Sequence, residues 1–328
     1  MLTATRYLVG LLDYLRSKSK FFDCYINTRF VSHKDHRDGV TATVEDGQTI
    51  TAKALVMATN VPLHAMGVLG KVGFWRTYCI AKRAPKGKFP DMLLYDNGDP
   101  YIYVRKTRHP NPEYEYVITG GEDHKVGIES ADTYEKHFAK LEDWTRKHFP
   151  FVEETEYKWS GQIIEPNDYM AFIGRPSPLE KNVYLSTADS GNGLTHGVIA
   201  SRIITDLIMG VENSWAELYS PTRLPKPRTM PNMVTENAKQ IYAGYSRYAV
   251  ADIRDIEDIP KCSGAVMKAG VMQAMKPLAV YKNEQGDAIT YSAVCPHLKG
   301  VVVWNAAEKS WDCPGAYFAF HSSLLQSR

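Results

Sequence analysis

The sequence predicts a mixed fold: an α/β unit joined to an antiparallel α+β sheet, with a small all-β unit after them. Three observations carry this expectation. Residues 183–210 read as a strand, a glycine-bearing turn and a helix. Residues 74–165 hold alternating, tyrosine-rich segments around one helical pattern. Residues 249–328 hold short apolar runs separated by turn residues, with two cysteines near the end. A chain of 328 residues suits about two domains, each able to bury a core.

In the first of these stretches, Val183 to Thr187 reads as a short buried strand, and Asp189 to Gly193 has no regular pattern. From there Leu194, Val198, Ile203, Ile204, Leu207 and Ile208 recur at helical spacing, and Gly210 is a stop signal. A helix start of this kind is an anion site on elementary grounds. Its first-turn amides lack partners and the helix dipole adds positive potential. Gly191 and Gly193 let a ligand reach the backbone with no Cβ in the way. The spacing Gly191-x-Gly193-x-x-x-Gly197 is a loose dinucleotide fingerprint. The pattern alone leaves open a tight strand-to-helix turn that holds nothing.

Taken in order, residues 4–18 read as a helix with Tyr7, Leu8, Leu11, Leu12 and Leu15 on one face. Phe21 to Ile26 reads as a strand. Val40–Glu45 and Gln48–Ala52 form a hairpin around Glu45-Asp46-Gly47. Lys53 to Thr59 is a continuous apolar strand of the kind buried in parallel sheets. In the tyrosine-rich sheet, Tyr101, Tyr103 and Arg105 are candidates to face a substrate, against the alternative of cross-strand packing. Asp132-x-x-Glu135 is a capping box for a helix carrying Tyr134, Phe138, Leu141 and Trp144 and stopped by Pro150. Pro221 to Pro231 is a linker or strap, and Asn232 to Tyr248 a crossing helix. Beyond it, Gly264–Met267, Met275–Lys282 and Ala288–Ser292 read as strands.

In the last unit, Cys295-x-His297 is followed by fifteen residues and then Cys313, which is metal-ligand spacing. Thiolates with imidazoles are the mixed set of a Rieske [2Fe–2S] centre. A zinc site from Cys295, His297, Cys313 and His321 is the alternative, although the spacing matches no common structural zinc pattern.

Composition bounds the rest. The chain is 44% hydrophobic and 23% charged, and its 39 basic and 37 acidic residues leave a net charge of +2. That balance gives no basis for nucleic-acid or membrane-surface binding. No apolar run is long enough to span a membrane. Five scattered cysteines and an N-terminus without a secretory layout set a reducing cytoplasm as the expectation.

The segment Ala188-Asp189-Ser190-Gly191-Asn192-Gly193-Leu194-Thr195-His196-Gly197 resembles the late flavin-contacting motif of FAD-dependent oxidoreductases of the D-amino-acid oxidase class. The resemblance implies an FAD site at Gly191, Asn192, Gly193, Thr195 and His196, in a Rossmann-like FAD-binding domain capped by the antiparallel sheet. Ala58-Thr59-Asn60, closing its apolar strand, is similar to a segment that passes close to the FAD in the same class, which adds Thr59 and Asn60. Ile173-Gly174-Arg175-Pro176 is similar to a turn found shortly before the late motif. Residues 293–300, Trp304-Asn305 and residues 309–314 resemble the Rieske domain appended to some of these enzymes. There the second loop is Cys-x-x-His, whereas here Ala316 stands at the histidine position and His321 is the next histidine. The ligand set so implied is Cys295, His297 and Cys313, with His321 as a displaced fourth.

The class opens with a strand, a Gly-x-Gly-x-x-Gly turn and a helix that hold the FAD pyrophosphate. Nothing before Arg6 supplies them, so the chain is expected to begin inside that domain and to lack the closing strands after Cys313. The expected organisation is an oxidoreductase domain over 1–225 with its substrate sheet at 74–165, a linker over 226–248 and an incomplete Rieske domain over 249–328. The expected function is flavin-dependent oxidation of a C–N bond in a small amine or amino acid, with electrons passed through the [2Fe–2S] centre to an acceptor. The alternatives are an inactive remnant holding neither cofactor, such as a reading frame shifted after Pro314 would leave, and an isolated metal-binding or electron-transfer module. No residue is named as the catalytic base; His196 is a candidate only through its place in the flavin motif.

Overall fold

The structure is a computed structural model that describes residues 4–61, 65–127, 134–224, 230–268, 276–295 and 299–314, and the backbone of 319–321. Helix α1 (Ala4–Lys18) forms where the spacing places it, yet none of its residues is buried. Phe21 to Ile26, read from sequence as a strand, is irregular, and Phe21 is 96% exposed. Aromatic and β-branched residues make a strand only where a neighbour offers a ladder, and among the described residues none does. Strands β1 (Phe30–His36), β2 (Gly39–Val44) and β3 (Thr49–Ala52) form an antiparallel sheet.

Next come β4 (Leu55–Asn60), the short α2 (Met66–Leu69) and β5 (Val72–Pro85). Strands β6 (Leu93–Tyr95), β7 (Ile102–Arg108) and β8 (Tyr114–Lys125) precede α3 (Tyr134–His148), and β9 (Thr155–Pro166) follows it. Asp132 of the capping box lies outside the described residues. Together these strands form an antiparallel sheet in the order β6-β7-β8-β5-β9, over the span the tyrosine alternation predicts. Then come β10 (Phe172–Gly174), β11 (Val183–Thr187) and α4 (Gly193–Met209). Gly210 closes α4 in the left-handed conformation, φ 70°, as a helix-terminating glycine does.

Strands β10, β11 and β4 form a second sheet, in which β4 runs parallel to β11. The apolar run at 53–59 therefore does pair in parallel. It stands at the sheet's edge among the described residues, however, with only Met57 buried, so the expectation of a buried strand is corrected. The core beneath joins Met57, Val68, Phe74, Phe172 and Leu185, and so links β4, β10 and β11 to the start of β5.

β5 alternates. Arg76, Tyr78, Ile80 and Lys82 are all buried, whereas Trp75 and Thr77 are half-buried. On the covered face α3 packs Phe138 and Leu141 against Tyr78, Ile80, Val104 and Val117. Each large side chain buried there contributes roughly 1.5–3 kcal/mol. The opposite face, with Thr77, Cys79 and Tyr103, looks away from α3.

Helix α5 (Met230–Tyr245) leads to the last unit, one sheet of β12 (Ser263–Lys268), β13 (Pro277–Lys282) and β14 (Ala288–Ser292), and another of β15 (Val303–Asn305), β16 (Ser310–Asp312) and β17 (Ala319–His321). β17 pairs with β16, although the sequence reading expects no strand after Cys313. Trp304 and Trp311 meet edge to face at 5.1 Å in the core, over Gly264. A Cβ on Gly264 would come within 2.7 Å of Trp304, so the pair needs glycine there.

This unit packs on the antiparallel sheet through buried polar groups. Arg76 Nη2 donates to Asp312 Oδ2 at 2.5 Å, with both side chains out of solvent. Arg76 Nη1 donates to Ser160 Oγ, which donates in turn to Glu308 Oε1 at 2.8 Å. Asn305 Nδ2 supports Asp312 at 3.0 Å. Burial pushes the Asp312 carboxyl up, and Arg76 and Asn305 pull it back. Elsewhere Arg223 clasps Asp168 through two hydrogen bonds, 2.7 and 2.8 Å, and lies 3.8 Å over the Phe172 ring. Among the described residues no helix is long and apolar enough to cross a membrane.

Two outcomes test these contacts. Arg76→Met strands the Asp312 charge and is expected to cost about 3–5 kcal/mol in urea unfolding, while adding Asp312→Leu recovers most of it. A cost below about 1 kcal/mol would mean the pair is dispensable. Burial raises the Asp168 carboxyl, but the hydrogen bond and charge of Arg223 outweigh it and hold the group below its usual range. Its contribution is therefore full above the unfolded carboxyl value, about 3.9, and is lost as pH falls through the lower folded value. The stability advantage over Arg223→Gln should be constant near neutrality and vanish in acid; an advantage that grows in acid contradicts the assignment.

Candidate functional site

The two parallel strands end side by side, with Thr187 of β11 opposite Asn60 of β4. Ligands of α/β sheets sit beyond such strand ends. The backbone there is held in a rare conformation. Asn60 (φ 64°), Ala188 (φ 57°), Ser190 (φ 53°) and Gly191 (φ 74°) are all left-handed, which costs the three non-glycines about 1 kcal/mol or more each. Side chains hold the turn in place. Thr187 Oγ1 donates to the Asn60 carbonyl. Ser190 Oγ donates to Glu165 Oε2 at 2.5 Å, and Asp189 Oδ1 accepts from the Gly191 amide at 3.1 Å.

Helix α4 starts immediately after. Asn192 does not cap it with its side chain, which turns back to the Ser190 carbonyl at 3.0 Å. Among the described residues the amides of Gly193, Leu194 and Thr195 have no hydrogen-bond partner. Gly193 fits because Asp189 Oδ2 stands 2.9 Å from where a Cβ would be.

The predicted flavin residues therefore fall together. Gly191, Asn192, Gly193 and Thr195 form an exposed turn and helix start, with Thr59 and Asn60 exposed at the neighbouring strand end. Thr59 Oγ1 is used locally, donating to the Val61 carbonyl at 3.2 Å. His196 is half-buried, its ring edge-on to Tyr219 at 6.2 Å, and its Nδ1 has no partner among the described residues. A bare helix start beside a glycine turn has the donors and clearance that the oxygen-rich edge of a flavin requires, so the residues present fit that group.

Through Glu165 the turn joins the open face of the antiparallel sheet. That face carries Thr77 and Cys79 of β5, Tyr103 and Arg105 of β7, Gly120 and Asp123 of β8, and Glu165 of β9. Cys79 Sγ and Tyr103 Oη are 3.1 Å apart. Burial raises the Asp123 and Glu165 carboxyls, each reinforced by a neighbouring acidic group. Burial and then the charges of Asp123 and Glu165 push the Tyr101 phenol up to about 12. Sequence reading finds Tyr101, Tyr103 and Arg105 but misses Thr77, Cys79, Asp123 and Glu165. The alternation along β5 hints at the first two. Asp123 is placed by the irregularity at Glu122 (φ 56°), which no spacing rule reveals. A surface cleft of about 480 Å³ further along α4, against Val198, Arg202 and Trp215, touches none of these groups.

In the last unit Cys295 and Cys313 are both fully buried. The Cys295 amide donates to the Gly300 carbonyl at 2.8 Å, and a Cβ on Gly300 would stand 3.6 Å from Cys313 Sγ, so the two cysteine loops meet. Burial and then the charges of Cys313 and Cys295 raise the Tyr245 phenol. His297 lies outside the described residues. The backbone of His321 pairs with Ser310, while Ala319 pairs with Asp312, so His321 sits down the ladder from the Cys313 end. Among the described residues no three His, Cys, Asp or Glu side chains are grouped to hold a metal. Of the expected ligand set, Cys295 and Cys313 fall among the described residues, whereas His297 and the His321 side chain lie outside them.

Comparison with known proteins finds a family and a fold. The family described as FAD dependent oxidoreductase (DAO) matches residues 2–207. A Bacillus subtilis (strain 168) protein named putative Rieske 2Fe-2S iron-sulfur protein YhfW is 25% identical over 270 residues, 81% of this chain and 50% of its own length. Among solved structures, glycine oxidase from Geobacillus kaustophilus is 17% identical with a TM-score of 0.50, covering 62% of this chain and 54% of that one. A modified fructosyl peptide oxidase from Aspergillus nidulans is 14% identical with a TM-score of 0.50, covering 67% and 59%. These two likenesses are of fold. The chain spans half the length of the curated relative.

The turn makes its own prediction. Gly193→Ala swings the Asp189 carboxylate, the far end of a short side chain, away from the Gly191 amide and should cost at most about 1 kcal/mol. Adding Asp189→Ala should return most of that in thermal unfolding. If the double variant is no better than the single, the contact is not what selects glycine.

Proposed function

We propose, for a chain that belongs to the family of FAD dependent oxidoreductases, that the turn at 188–195 holds a flavin and the open sheet face holds a small amine or amino acid. The observation that carries this is the uncapped start of α4, with unpartnered amides beside the end of β4. Gly191, Asn192, Gly193 and Thr195 are the residues that would hold the cofactor, with Thr59 and Asn60 flanking. His196 packs behind them on Tyr219 and supports the turn.

When bound, a flavin accepts a hydride from the carbon next to a nitrogen. The chain's own residues do the positioning. Arg105 is the cation available to a substrate carboxylate, and the Thr77 and Tyr103 hydroxyls offer hydrogen bonds on the same face. The rings of Tyr95, Tyr101 and Tyr103 border that space. In the balance, the substrate loses one hydride and the proton from its nitrogen, and the resulting imine is hydrolysed by water to a carbonyl compound and an amine.

The finer reading gives the last unit an iron–sulfur centre that passes electrons to an acceptor. It is supported by the name of the Bacillus relative and by the meeting of the two cysteine loops at Gly300. Two thiols do not complete a cluster, and no electron path is drawn through it. The division into 1–225, 226–248 and 249–328 belongs to the same proposal. A second reading, a folded unit that holds no flavin, is favoured by the exposure of α1 and of the β4 edge.

One experiment separates the two. The purified chain is loaded with FAD, freed of excess by gel filtration, and read by flavin absorbance and quenching of flavin fluorescence. Retained flavin is expected, with Gly191→Val and Gly193→Val each weakening retention at least about tenfold through a blocked approach. No retention by the unaltered chain would sink the flavin reading.

A further inference from the structure

We infer that Glu165 is the positioning residue of the proposed cofactor turn: its carboxylate, through the Ser190 hydroxyl, latches the turn onto strand β9 and so sets the start of α4. The inference rests on the proposed flavin site and deepens it by naming what holds that site in order.

The turn is tied down at two places. Thr187 Oγ1 donates to the Asn60 carbonyl on β4. Ser190 is tied to β9 twice. Its Oγ donates to Glu165 Oε2 at 2.5 Å, and its amide donates to the Ile164 carbonyl at 3.3 Å. Beyond Ser190 the bonds close inward. The Gly191 amide donates to Asp189 Oδ1, the Asn192 amide to the Asp189 carbonyl, and Asn192 Nδ2 to the Ser190 carbonyl. Among the described residues Ser190 is therefore the last hydrogen-bonded anchor to another element before the bare amides of α4.

The anchor falls where the backbone most needs one. Ala188, Ser190 and Gly191 are left-handed, at φ 57°, 53° and 74°. Of these only the glycine takes that conformation freely. Without the Glu165 carboxylate, Ser190 keeps only the long bond from its amide to β9, and the turn relaxes toward ordinary dihedrals. Space for the carboxylate is built into the sheet. Glu165 is half-buried and stands opposite Gly73 of β5, which has no side chain to meet it.

An O–H···O distance of 2.5 Å is that of a hydroxyl donating to an ionised carboxylate, so the charged form holds the turn. Burial pushes the Glu165 carboxyl up, Ser190 pulls it back, and the charges of Asp123 and Asp189 push it up again. The groups around it come from four elements. The turn presents Asp189, β8 presents Asp123, and the segment before β7 presents Tyr101, whose phenol Glu165 helps to raise. Lys125 of β8 is taken up by Glu236 of α5. Because Ser190 lowers the carboxyl only while the turn is latched, order is complete above the carboxyl's range and is lost as pH falls through it.

The test needs no cofactor. Hydrogen–deuterium exchange of the full chain, read by mass spectrometry, follows the hydrogen-bonded amides of Ser190, Gly191 and Asn192. Glu165→Ala and Ser190→Ala should each speed their exchange at least about tenfold, and the double variant should add nothing to either. Glu165→Gln, a neutral acceptor, should fall between Glu165→Ala and the unaltered chain at neutral pH. The advantage of the unaltered chain over Glu165→Gln should vanish in acid. If Glu165→Ala fails to fold, Ser190→Ala reads the same latch. Unchanged exchange in Ser190→Ala, or an advantage over Glu165→Gln that is as large in acid as at neutrality, overturns the proposal. FAD retention, measured on the same samples, should weaken in step with the loss of order, because only the ordered turn binds. Retention undiminished in a loosened turn overturns the positioning role. Flavin bound by every variant with exchange unchanged sinks the latch alone. Faster exchange in the variants, with no flavin held by the unaltered chain, leaves the latch standing and sinks the flavin reading.

Discussion

The buried ion pair of Arg76 with Asp312 is the constraint that makes one body of the antiparallel sheet and the C-terminal unit. Both charges are out of water, and each is costly there without the other. The pair demands one relative placement, which Ser160, Glu308 and Asn305 then hold with further hydrogen bonds. Asp312 directly precedes Cys313, so the arrangement also sets where the second cysteine loop lies relative to the sheet. Strand β5 is the common member. It begins in the core beneath the parallel strands, runs through the sheet and carries Arg76 on one face with Thr77 and Cys79 on the other.

The candidate site is built on a different principle. Its backbone is strained at Asn60, Ala188 and Ser190, and the strain is held by three hydrogen bonds: Thr187 of β11 to Asn60, Ser190 of the turn to Glu165 of β9, and Gly191 to Asp189 within the turn. What these contacts achieve is a helix start with bare amides at the exposed end of two parallel strands. Helix α1 and the β4 edge stand uncovered among the described residues.

Much of the secondary structure is legible in the sequence because the relevant forces are local. The 3.6-residue spacing places α1, α3 and α4, the Asp46-Gly47 pair places the β2–β3 hairpin, and Gly210 ends α4. Phe21 to Ile26 shows the limit. A strand-forming composition does not make a strand when no partner ladder is present. The run at 53–59 shows another: apolar character identifies a parallel strand, but whether it lies at the centre or the edge depends on which strand stands beside it.

The sequence by itself determined the strand, turn and helix over 183–210, because local spacing and a helix-ending glycine need only their own neighbours. It also determined the alternation that exposes Tyr101, Tyr103 and Arg105. Only the tertiary structure decided that Asp123 and Glu165 share a face with them, that Arg76 meets Asp312 across 236 positions, and that His321 pairs beside Ser310 rather than beside Cys313. Those placements depend on strand order, register and one irregular residue at Glu122. They arise when distant segments pair, and periodicity within any one segment carries no record of its partner.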